Sequence, residues 1–124
     1  MDDDFLRSSL GRTGIPVHRL GLAASHRPGE RTVQRAIDEG VNYFFCFGID
    51  GHMIRVLRGL PPGRRERVVI ATGAYNYIWW RQDIEKTLEK RLRQLRTDYI
   101  DVFHFLGVMN PKNLTPRVLD QLAK

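Results

Sequence analysis

Residues 82–106 read QDIEKTLEKRLRQLRTDYIDVFHFL. Ile84, Leu88, Leu92 and Leu95 recur at helical spacing, which predicts an amphipathic helix over Gln82–Arg96. Lys86, Lys90 and Arg93 share the opposite side with Asp83 and Glu89, a mixed-sign face suited to solvent rather than to reading DNA. Tyr99–Leu106 follows after a short polar turn and predicts a strand. A helix that runs through a short turn into an apolar strand is the repeating unit of a parallel sheet, because parallel neighbours need crossover connections.

The same unit recurs upstream. Residues 5–10 and 15–18 flank Gly11-Arg12-Thr13-Gly14 and predict a hairpin. Leu20–Ala24 is the first candidate strand of the main sheet. Pro28-Gly29 opens a helix of about ten residues, with Val33, Ala36 and Ile37 on one face, and Gly40 stands where a left-handed cap is wanted. Val41–Phe47 is apolar nearly throughout, as expected of a strand covered on both faces. Met53, Val56, Leu57 and Leu60 mark a second helix, which Pro61-Pro62-Gly63 is expected to stop. Arg67–Thr72 carries a third buried run, and Leu114–Lys124 begins a fourth helix. The order is a hairpin (5–18) followed by four strand–helix units (19–124) in one domain. That order suits a doubly wound sheet and a (β/α) barrel equally well.

The bulk properties narrow the class. With 42% hydrophobic and 27% charged residues the chain has the makings of a folded core, so disorder is not expected. No run of about 18 apolar residues occurs, so no membrane span is expected. The start, Met1-Asp2-Asp3-Asp4, lacks the basic and apolar regions of a signal peptide. Cys46 alone makes no intrachain disulfide, and the cytoplasm is the expected compartment. The net charge of +6 comes with sixteen Arg, densest at Arg55, Arg58, Arg64, Arg65 and Arg67. A nucleic-acid stripe would interleave such a cluster with stacking aromatics, so a solvated basic face is the preferred reading and nucleic acid is not an expected partner.

The stretches Leu10–Gly21, Ala36–Phe44 and Leu92–Asp101 resemble segments of aldo-keto reductases. Leu10-Gly11-Arg12-Thr13-Gly14-Ile15-Pro16-Val17-His18-Arg19-Leu20-Gly21 is similar to that family's hairpin and first strand. Ala36-Ile37-Asp38-Glu39-Gly40-Val41-Asn42-Tyr43-Phe44 resembles the segment leading into its catalytic aspartate, and Leu92–Asp101 resembles its third-helix-to-fourth-strand junction. With Val68–Thr72 they fall in family order over nearly the whole chain from residue 6. The resemblance implies an α/β fold, a partial TIM-type barrel of about four strand–helix units behind an N-terminal β-hairpin. It also implies NADP(H)-dependent carbonyl reduction, in which a tyrosine protonates the carbonyl oxygen, a lysine paired with an aspartate lowers the tyrosine's pKa, and a histidine orients the carbonyl.

None of those four side chains is present. Phe45 stands at the aspartate's position, Asp50 at the tyrosine's, Gly73 at the lysine's and Leu106 at the histidine's. The residues point to a catalytically impaired or inactive relative, a pseudoenzyme, since proton transfer and charge stabilisation need ionisable or hydrogen-bonding groups. Asp50 and His104 are weak substitutes. A solvated loop aspartate and a satisfied core histidine are the plainer readings of the two. Asp50-Gly51-His52 offers two metal ligands without a third, so no metal is expected. Tyr75, Tyr77, Trp79 and Trp80 follow the third strand and are candidates to line a small-molecule or protein-binding surface; packing against the third helix competes with that reading. Cys46 reads as a small buried hydrophobe.

A complete barrel of this kind takes about 250 residues, so four units read as a truncated half. In the family, the later half holds most of the cofactor, so NADP(H) rests on resemblance alone. Open sheet edges lead us to expect self-association or a complementary half-barrel as partner.

Overall fold

The computed structural model describes residues 3–46, 50–77 and 80–124. A short helical turn, α1 (Asp3–Leu6), precedes strand β1 (Arg7–Ser9), which pairs antiparallel with β2 (Pro16–His18). The hairpin is therefore shorter than expected: Phe5 and Leu6 are helical, and β1 begins only at Arg7. Its turn needs glycine at both ends, because Gly11 (φ 55°) and Gly14 (φ 76°) are left-handed. Asn42 fastens the hairpin to the sheet. Its Oδ1 accepts from the His18 N–H at 2.7 Å, and its Nδ2 donates to the Pro16 carbonyl at 2.9 Å.

Next come β3 (Leu22–Ala23), a 3₁₀ turn (Ala24–His26), α2 (Glu30–Asp38), β4 (Tyr43–Phe45), α3 (Gly51–Arg58) and α4 (Pro62–Arg65). The chain continues through β5 (Val69–Tyr77), β6 (Trp80–Arg81), α5 (Ile84–Leu95), β7 (Val102–Leu106) and α6 (Pro116–Ala123). Strands β3, β4, β5 and β7 lie side by side, all parallel and in chain order, while β6 pairs antiparallel with the far end of β5. Successive parallel neighbours joined by helices are the arrangement of a barrel wall, and the sheet does not close on itself.

Helices α2, α3 and α5 cover one face of the sheet. Val33, Met53, Leu57 and Leu95 come from these helices and meet Phe44, Cys46 and Ile70 of the β4 and β5 segments. A second cluster joins Ala74, Ile84 and Val118, with Phe103 and Phe105 packed against it. Gly40 is left-handed (φ 93°) at the end of α2, as its position predicts.

The structure refines several expectations. The second helix, α3, ends at Arg58 ahead of the double proline, but Pro61 also caps a further short helix, α4, whose Arg65 folds inward. There Arg65 donates to Thr97 Oγ1, the Val68 and Tyr99 carbonyls and Asp101 Oδ2, and its guanidinium lies 3.9 Å from the centre of the Tyr99 ring. Of the five clustered arginines, Arg65 is thus a structural tie, and Arg55 and Arg64 are paired with Glu30 and Asp38. Strand β5 runs five residues past its expected end at Thr72. The strands built on Leu20–Ala24 and Val41–Phe47 are shorter than expected, and Phe47 lies outside the described residues. Among the described residues no helix is long and apolar enough to cross a membrane.

Candidate functional site

In the parallel register Phe45 sits beside Ala71, and Ala71 beside Val102. Residues in register share a face, so these three look away from the helices, opposite to Phe44 and Ile70. Gly73 and His104 are partners one step further along, followed by Tyr75 and Leu106. Three of the four positions singled out by the family resemblance, Phe45, Gly73 and Leu106, therefore sit on the adjacent strands β4, β5 and β7.

Their chemistry is apolar, and the backbone is tight. The Phe45 and His104 rings meet at 5.7 Å between centroids, tilted by 52°. They belong to β4 and β7, so they meet across β5, where the small residues Ala71 and Gly73 leave room. A Cβ added to Gly73 would lie 2.3 Å from the His104 carbonyl oxygen. No side chain fits there without a backbone shift. His104 is half-buried, as a wall residue would be.

Asp50 is not a solvated loop residue. It is 7% exposed and caps α3, its Oδ1 accepting the His52 N–H at 3.1 Å. The other carboxylate oxygen, Oδ2, is buried with no partner among the described residues. Nearby, burial pushes the Cys46 thiol up to about 11, despite the opposing charge of Arg91. The Thr72 hydroxyl donates to the Cys46 carbonyl at 2.8 Å. Arg91 is a residue that sequence reasoning missed. It is 3% exposed on the inner side of α5, and the same burial lowers its pKa.

The aromatic candidates fall on a hairpin rather than a loop. Tyr75 and Tyr77 belong to β5, and Trp80 to β6, with Tyr77 opposite Trp80 and Asn76 opposite Arg81. The Tyr75 N–H donates to Gln82 Oε1 at 3.0 Å, and Arg81 Nε donates to Asn76 Oδ1 at 2.9 Å. Tyr75 is half-buried and close enough to Arg91 to affect its charge. Trp79 and the side chains of Tyr77 and Trp80 lie outside the described residues.

Among the described residues no three His, Cys, Asp or Glu side chains are grouped to hold a metal. A cavity of about 410 Å³ opens at the other end of the sheet, between the ends of α3 and α5, with Leu57, Arg58, Leu95, Arg96 and Tyr99 in its lining. None of the candidate residues reaches it.

No family model and no curated protein matches the chain. Solved structures do. Two structures from Pseudomonas aeruginosa, each described as an aldo-keto reductase, match at 26% and 24% identity, with TM-scores of 0.73 and 0.71. Each match takes in 95% of this chain, but 53% and 54% of the other. The holo form of an aldo-keto reductase from Bacillus halodurans matches at 24% identity and a TM-score of 0.62, over 94% of this chain and 43% of its own. The chain spans about half the length of these structures, and its fold is that of a partial aldo-keto reductase barrel.

Proposed function

We propose that this chain is an aldo-keto-reductase-like half-barrel that does not carry out the family's NADP(H)-dependent carbonyl reduction and serves as a binding or regulatory module. One observation carries the reading: Gly73, at the lysine's position, has no room for a side chain beside the His104 carbonyl. Around it, the Phe45 and His104 rings meet across β5, which argues against a proton-donating centre on this face. Asp50, at the tyrosine's position, already spends one carboxylate oxygen on the cap of α3. These residues do not fit the chemistry that a bound nicotinamide would ask of them.

The binding role draws on the β5–β6 hairpin, which carries Tyr75, Tyr77 and Trp80 beyond the end of β4. In (β/α) barrels the C-terminal ends of strands form the ligand-binding face. A complementary half-barrel, or a second copy, is the proposed partner, because among the described residues β3 and β7 end the parallel sheet with unpaired edges. A reducing compartment, the cytoplasm, suits a free and buried Cys46.

The reading is tested by titrating the chain with NADPH while following the fluorescence of Trp79 and Trp80, then adding aldehydes and ketones. The expected result is no carbonyl-dependent loss of NADPH, whether or not the cofactor binds. Saturable binding followed by such loss would overturn the non-catalytic reading.

A further inference from the structure

Arg91 is buried on the side of α5 that faces the sheet, where the stripe Ile84, Thr87, Arg91 and Leu95 packs inward. Its one hydrogen bond among the described residues runs from Nη1 to Gln94 Oε1 at 3.0 Å, a neutral acceptor on its own helix. Its Nε is buried and has no partner among the described residues. No carboxylate among the described residues lies within ion-pair distance; the buried Arg65, by contrast, meets Asp101 at 3.1 Å.

A guanidinium in that state is costly. Its desolvation is not offset by an opposite charge, and a well-packed apolar side chain of similar length would serve the interface better. Buried polar groups left without partners call for a reason, an absent ion among them. The placement suggests one. Arg91 stands where Cys46, just past β4, and Tyr75 of β5 feel its charge, towards the C-terminal ends of the strands. Asp50, the nearby buried carboxylate, also acts on Cys46, yet it forms no ion pair with Arg91 and uses Oδ1 to cap α3.

We propose that Arg91 is the anchor of an oxyanion site between α5 and the ends of β4 and β5, taking the carboxylate or phosphate group of a small ligand. The planar guanidinium fork offers Nε and a neighbouring Nη as a donor pair matched to two oxygens of such a group. The acceptor it now uses, Gln94, is a side chain free to turn away when an anion arrives.

Thermal unfolding of the full chain tests this in a non-coordinating buffer, with inorganic phosphate or acetate added and sodium chloride as the ionic-strength control. An anion at ten times its dissociation constant is expected to raise the midpoint by about 5 °C above the chloride control. The variant Arg91→Met is expected to lose that response and, without the anion, to unfold no earlier than the parent. Arg91→Lys keeps the charge but not the fork and is expected to show a reduced response. A parent that responds to phosphate and acetate no more than to chloride overturns the proposal. So does an Arg91→Met chain that keeps the full response. Stabilisation by phosphate alone, retained in Arg91→Met, would mean an adventitious ion only. If Arg91→Met fails to fold, Arg91→Lys decides: an unchanged anion response overturns the proposal, and a reduced one supports it.

Discussion

At the scale of single residues, the decisive position is Gly73. The family resemblance places it at the position of a lysine, but the missing space beside it is a property of two strands. The approach of His104 from β7 sets it, and no local pattern reports such a non-local distance. Replacing Gly73 by Ala is expected to cost about 1–3 kcal/mol, because a Cβ at 2.3 Å forces the backbone to move. Urea unfolding would measure it, and Gly73→Ala with parental stability would show that the close approach is not real. Cys46 gives a second residue-scale expectation. Burial raises its folded pKa to about 11, above the ordinary thiol value of 9.0, so the folded chain holds a proton that the unfolded chain releases. Stability from this group is complete below pH 9 and is lost as pH rises towards 11. The parent should therefore lose stability across that interval by more than Cys46→Ala does, as followed by denaturant titrations at each pH.

Among the elements, α5 shows what periodicity conveys and what it leaves out. The helix falls where its apolar spacing placed it, within two residues at the start and one at the end. Its buried face, however, runs through Ile84, Thr87, Arg91 and Leu95, rotated from the leucine stripe so that Leu88 and Leu92 are only half-buried. The helix packs against both α3 and β5, and a polar stripe satisfying that double contact is invisible to an apolar count. Strand β5 was under-read for a related reason. Gly73 and Asn76 look like loop residues, yet pairing with β7 through Leu106 and with β6 holds them extended. Asp83 is the testable joint of this region. Its Oδ1 accepts the Lys86 N–H at the start of α5, while its Oδ2 accepts from Arg117 and Gln121 of α6. The Lys86 hydrogen bond, then the Gln121 one, holds its carboxyl below the usual range. The stabilisation is present above the ordinary carboxylate pKa and lost as pH falls through the lowered value. Asp83→Ala should cost about 1 kcal/mol, the loss of a helix cap, and remove that acid-side dependence. Amide exchange in α5 and α6 would report it, and unchanged exchange would place the stabilisation elsewhere.

For the molecule as a whole, the order of elements was legible because each helix-to-strand unit announces itself by a change of period. What composition and periodicity left open was the choice between an open sheet and a barrel wall. That choice turns on strand order, and β3, β4, β5 and β7 lie in sequence. The family resemblance pointed the same way, and the solved structures agree over 95% of the chain while extending to nearly twice its length. The site was legible in part. The four positions that the family resemblance singles out could be named from sequence, whereas the aromatic contact over β5, the buried cap at Asp50 and the buried charge of Arg91 all arise from packing between distant segments. Hydride transfer is the reaction that the proposed function excludes, so it is the one to measure. The chain at high concentration would be incubated with NADPH deuterated at the transferable position and a panel of aldehydes and ketones, and the alcohols analysed by mass spectrometry. The expected outcome is no deuterium in any alcohol beyond the protein-free control; deuterated product that forms in proportion to the chain, and falls when Asp50→Asn or His104→Ala is introduced, would contradict the account.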